Sequence, residues 1–68
     1  MTQGQHVTIK AGWGAKVELF GQFNDWMRFT TDTPAEVERV LPNGDAILHA
    51  EVRGKRTRIL AKSSAIVQ

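Results

Sequence analysis

The sequence predicts an all-β fold, a small barrel or roll of about five antiparallel strands. Three observations predict it. Residues 35–68 divide into short alternating segments joined by very short turns. Pro42-Asn43-Gly44-Asp45 contains Asn-Gly, the strongest short hairpin signal, because both residues tolerate positive φ. Arg53-Gly54-Lys55 supplies a second tight connection one strand later.

The elements follow in order. Met1–Gln5 is polar and reads as a flexible N-terminus, leaving 6–68 as one small β-barrel domain. His6–Lys10 alternates, with Val7 and Ile9 on one face and His6, Thr8 and Lys10 on the other, which is the pattern of a half-buried strand. Gly12-Trp13-Gly14 interrupts it. Lys16–Phe20 resumes as a strand with Val17 and Leu19 inward.

Residues 20–29 admit more than one reading. Phe20, Phe23, Trp26 and Met27 fall at helical spacing, but Gly21 and Asn24 form helices poorly. A long irregular loop with one helical turn, or a twisted strand pair, fits equally well. Thr30–Thr33 is a strand end or loop, and Pro34 restarts the chain extended. Ala35–Leu41, Ala46–Val52 and Arg56–Ala61 are then three meandering strands. Ala46, Leu48, Ala50 and Val52 share one face of the second. Thr57, Ile59 and Ala61 share one face of the third. Lys62-Ser63-Ser64-Ala65 suits a single 3₁₀ turn before a last strand at Ile66-Val67.

Length and composition bound what such a domain can do. A chain of 68 residues buries only roughly 60% of its unfolded surface, so its stability is marginal. It has no cysteine, hence no disulfide and no thiolate metal site. A homo-oligomer is one way to gain the missing core. Apolar runs reach only three residues, such as Ile59-Leu60-Ala61, whereas a membrane helix needs about 20. Neither a membrane partner nor a signal-peptide core is expected, and the expected location is cytoplasmic.

Net charge is +2, and its distribution says more than its size. Lys10, Lys16 and Arg28 balance Glu18, Asp25 and Asp32 in residues 1–34. Between Arg53 and Lys62 lie Arg53, Lys55, Arg56, Arg58 and Lys62, with no acid among them. On a hairpin these form a positive tip able to grip phosphates. The plainer reading is a solvated hairpin whose basic side chains discourage edge pairing, neutralised by Glu36, Glu38 and Glu51 on neighbouring strands.

All five aromatic residues, Trp13, Phe20, Phe23, Trp26 and Phe29, lie in residues 13–29. Such side chains stack bases or anchor a protein partner. A tiny barrel also needs large side chains to close its ends, so at least three of the five are expected in the core. Trp13, between two glycines, is the first candidate for exposure.

The order of elements resembles the SH3-like small β-barrel (Src-homology-3-like), of the prokaryotic and phage type. On that resemblance Gly12–Pro34 is the long aromatic first loop and Asn43-Gly44 the second. Arg53-Gly54-Lys55 is the distal hairpin, and Lys62–Ala65 is the 3₁₀ turn before the last strand. The peptide-binding members carry paired tyrosines in the first loop, and this chain has no tyrosine, so proline-rich peptides are not the expected ligand. The remaining small barrels mostly bind RNA, DNA or other proteins. The resemblance therefore implies a binding module rather than an enzyme, and fold alone does not say which kind.

Chemistry is otherwise sparse. His6 and His49 lack the further ligands of a zinc site, so no metal and no cofactor is expected. Ser63-Ser64 with His49 lacks an orienting third group, and no nucleophile elbow exists. Asp25, Asp32, Glu36 and Glu38 would need a cleft that so short a chain can hardly build. Two readings result. In the favoured one, DNA or RNA is bound by Arg53, Lys55, Arg56, Arg58 and Lys62 on phosphates, with Trp13 stacking. In the alternative, the chain is a small phage or mobile-element regulator that binds a protein through Trp13, Phe23, Trp26 and Phe29.

Overall fold

The computed structural model describes residues 1–68. Its strands are β1 His6–Ile9, β2 Gly14–Leu19, β3 Gln22–Arg28, β4 Thr33–Val40, β5 Ala46–Val52, β6 Lys55–Ala61 and β7 Ile66–Val67. A 3₁₀ turn at Ser63–Ala65 precedes β7, as the sequence predicts. All pairings are antiparallel, in the order β3-β2-β6-β5-β4-β1-β7. Laid flat, seven strands would span roughly 29 Å at about 4.8 Å per neighbour. The longest dimension of the molecule is 25 Å, so the sheet curls, as a small β-barrel requires.

Alternation sets what is inside. Val7 and Ile9 of β1, Val37 of β4, Leu48 of β5 and Ile59 of β6 meet in one core. In register, Leu48 lies between Val37 and Ile59. Six of the 13 buried residues are alanines: Ala15, Ala35, Ala46, Ala50, Ala61 and Ala65. A tightly curled sheet brings its inner faces close, and methyl groups fit where rings do not.

That crowding overturns the aromatic expectation. Only Phe29 is buried, at 4% exposure, whereas at least three of the five were expected there. Residues 14–28 are no loop either. They form the β2–β3 hairpin, the strand-pair reading of residues 20–29, and they raise the strand number from about five to seven. Its turn is Phe20-Gly21, with φ of 53° and 81°. Positive φ at both central residues is the type I′ geometry that matches strand twist. Arg53-Gly54 repeats it, with φ of 53° and 77°.

The Asn43-Gly44 turn differs from its prediction. Only Gly44 has positive φ, at 93°. Pro42 fixes its own φ near −65° and starts an ordinary turn, closed by the Gly44 N–H donating to the Leu41 carbonyl at 3.0 Å. The connection runs over residues 41–45. Leu19, expected inward, is half exposed, because a bulge between Val17 and Leu19 shifts the register of the hairpin end. The N-terminus is tied down rather than loose. Gly4 N–H donates to the Val37 carbonyl at 2.7 Å, Val37 N–H donates to the Gln5 carbonyl at 2.9 Å, and Met1 packs on the core.

Candidate nucleic-acid interface

The outer face of the sheet carries the charges. Register brings His6, Glu36, His49 and Arg58 into one row across β1, β4, β5 and β6. Arg58 is its centre. Its Nε and Nη2 donate to the two carboxylate oxygens of Glu38, both at 2.9 Å, and Nη1 donates to Glu18 of β2. The fork geometry is the strong form of an arginine–carboxylate contact. His49 Nε2 lies 2.6 Å from Glu38 Oε1. The Arg58 guanidinium also sits 5.6 Å from the Phe23 ring centre, a cation–π distance.

These contacts shift two groups. The hydrogen bonds from Arg58 hold the Glu38 carboxyl at about 2, against 4.5 ordinarily; partial burial opposes this and the His49 contact adds to it. Glu38 in turn raises the already high Arg58 pKa. The bulge between Val37 and Arg39 places Glu38 within reach of both partners.

The basic residues singled out from the sequence therefore separate. Arg58 is held by two carboxylates. Arg56 is exposed, with Nη2 3.4 Å from Glu36 Oε1. Arg53 and Lys55 crown the hairpin and form no ion pair. Lys62 stands at the opposite end of β6, roughly 20 Å along the strand from Lys55. Only Arg56 and Arg58 of the nine lysines and arginines are in ion pairs.

The aromatics separate as well. Phe29 is in the core, so it is unavailable to a partner. Phe23 is half-buried beside Arg58. Trp13 is 41% exposed and Trp26 64%. Phe20 is 96% exposed, at the tip of the β2–β3 hairpin.

Lys62 and Trp26, assigned to different readings by sequence, meet in one groove. It measures about 170 Å³ and is lined by Gly14, Lys16, Trp26, Asp45, Leu60 and Lys62, with Ala15 and Ala61 beneath. Lys16 lies opposite both Trp26 and Leu60 in register. The indole rests on Gly14, where an added Cβ would lie 1.8 Å from Trp26 Cζ2. Glycine at 14 is thus the condition for this indole position, rather than a source of backbone freedom. Neither lysine is ion-paired.

Lys16 and Asp45 were not foreseen as site residues, and Phe20 was foreseen only as one of the five aromatics, not among those assigned to a partner. Lys16 could have been found from its place on the outer face of β2, had the β2–β3 pairing been recognised. Nothing in local sequence points to Asp45, which reaches the groove through the β5–β6 register: Ala46 opposite Ala61 sets Asp45 beside Lys62. His6 is highly exposed and 3.9 Å from Glu36. Ser63 and Ser64 are exposed in the 3₁₀ turn. No three His, Asp or Glu side chains gather in the way a metal would need. No helix is long and apolar enough to cross a membrane. No family model, no curated protein and no solved structure matches the chain.

Proposed function

We propose that this domain binds single-stranded nucleic acid on the outer face of β2, β3 and β6. The observation that carries the reading is Trp26, largely exposed on Gly14 between the unpaired Lys16 and Lys62. An indole held against the sheet offers a ring face to an unpaired base, and two free ammonium groups beside it suit the flanking phosphates. Arg28, two residues beyond Trp26 on the same face, adds a third exposed cation. In this reading Arg53 and Lys55 extend the basic surface, while Arg58 serves the sheet. The domain is then an SH3-like barrel, supported by its succession of hairpin, meander, 3₁₀ turn and last strand. It acts as a binding module without a reaction of its own, in the cytoplasm.

The test is fluorescence anisotropy with labelled single- and double-stranded DNA and RNA, at low and physiological salt. Single strands bind, quench tryptophan, and dissociate as salt rises. Lys16→Glu with Lys62→Glu removes binding while circular dichroism stays unchanged. Absence of binding at low salt sinks the reading. Reversing Arg56 and Arg58 is a poorer test, because Arg58→Glu sets a third carboxylate against Glu18 and Glu38 and attacks the fold.

A protein partner has one observation in its favour. Phe20 combines near-complete exposure with φ of 53°, a conformation bulky residues avoid, and half-exposed Leu19 stands beside it. A pulldown that loses its partner on Phe20→Asn, at unchanged stability and at moderate salt, would move the function to that hairpin tip.

A further inference from the structure

The groove beside Trp26 contains an acid as well as bases, and that combination selects among bases. Register places Gly14, Lys62 and Asp45 side by side across β2, β6 and the start of β5. Two interstrand spacings, about 10 Å, separate Gly14, on which the Trp26 indole rests, from Asp45. At about 170 Å³ the groove falls below the roughly 300–1,000 Å³ of pockets for drug-sized ligands, so it suits one flat ring system.

The polar groups are few and unspent. Asp45 Oδ2 accepts from Asn43 Nδ2 at 3.2 Å, and Oδ1 accepts nothing within the protein. The same Asn43 fixes the loop by accepting the Asp45 N–H at 3.0 Å, so the carboxylate is positioned before any ligand arrives. Lys16 and Lys62 are free donors. A carboxylate only accepts and an ammonium only donates. The complementary base needs two adjacent N–H donors and, elsewhere on its rim, acceptors for an ammonium.

Guanine is that base. Its N1–H and N2–H₂ match a carboxylate, and its O6 and N7 match a lysine. Adenine and cytosine offer a carboxylate only one amine, and uracil only one imino N–H. We infer that the groove is a guanine site. Trp26 stacks on the purine, Asp45 accepts from N1 and N2, and a lysine donates to O6 or N7. This rests on the nucleic-acid reading for the source of the guanine, but not for its chemistry.

The experiment uses labelled pentauridylates whose central residue is guanosine, adenosine, cytidine, uridine or inosine, with free guanosine monophosphate in a separate arm followed by tryptophan quenching. The guanosine oligonucleotide binds about tenfold more tightly than the adenosine one. Inosine, which lacks the N2 amine, loses most of that advantage, and Asp45→Asn abolishes it. Equal affinity for guanosine and adenosine overturns the guanine site and leaves nucleic-acid binding standing. Binding of the monophosphate without any oligonucleotide supports the guanine site and removes the nucleic-acid reading. Binding of neither removes both. Should Asp45→Asn fail to fold, the inosine comparison on the unaltered protein decides.

Discussion

The sheet has two regions with opposite habits. In the β4–β5–β6 region, eight of the 13 buried residues point inward or lie sealed, and on the outer face Arg56 and Arg58 are matched to carboxylates. The β2–β3 hairpin contributes one buried residue, Ala15. It gives Glu18 to the ionic row, leaves Lys16 and Arg28 unpaired, and presents Leu19, Phe20 and Trp26 to solvent. One region holds the domain together, and the other is largely released from that task. Exposed rings and unmatched cations return little to stability, which is why the proposed contact surface is placed on them.

The comparison breaks most visibly with one substitution in each region. Leu48→Ala removes a fully buried side chain between Val37 and Ile59. Such truncations cost about 2–5 kcal/mol. A domain of this length has about 3–10 kcal/mol in all. Thermal denaturation followed by circular dichroism is expected to show a melting temperature lowered by more than about 10 °C, or no cooperative transition. A small shift would mean that the core is not where stability resides.

Gly14→Ala, in the other region, sharpens the same contrast. The new methyl meets the far end of the Trp26 indole, which can swing away at little cost to the fold. The stacking face moves with it, and base stacking contributes about 1–3 kcal/mol. Affinity for single strands falls about tenfold, while the melting temperature changes little. Unchanged affinity would separate Trp26 from binding altogether.

The two regions also differed in how far the sequence revealed them. β5 and β6 were legible because Ala46, Leu48, Ala50, Thr57, Ile59 and Ala61 recur at every second position, even though Ile47 and Leu60 put apolar side chains on the other face. The Arg53-Gly54 connection is short enough to leave one topology. The β2–β3 hairpin was not, since its turn is headed by Phe20, a residue that normally avoids positive φ, and a bulge breaks its alternation. The ionic row and the groove were hidden for another reason. Glu18 and Arg58 are 40 residues apart and meet only through the β2–β6 register, which no local pattern encodes. Charge clustering along the chain suggested a single basic tip, but strand direction sends Lys62 to one end and Lys55 to the other.

The smallest expected effect tests whether the ionic row belongs to the stabilising region. Folded Glu38 has its carboxyl at about 2, whereas the unfolded chain has it near 4.5. Between those values the unfolded state binds more protons, so the stabilisation is complete above about pH 4.5 and fades as pH falls towards 2. The Glu38 side chain is still 30% exposed, so water screens the pair. Its contribution is then about 1 kcal/mol at most, or about 4–8 °C in melting temperature. Urea or thermal unfolding of the protein and of Glu38→Gln, from pH 6 to pH 2, isolates this term from the other carboxylates. The two curves are separated at pH 6 and converge as Glu38 becomes protonated. Curves that stay parallel down to pH 2 would make the Arg58 fork a bystander. The basic residues of β6 would then return to the pool of side chains available to a ligand.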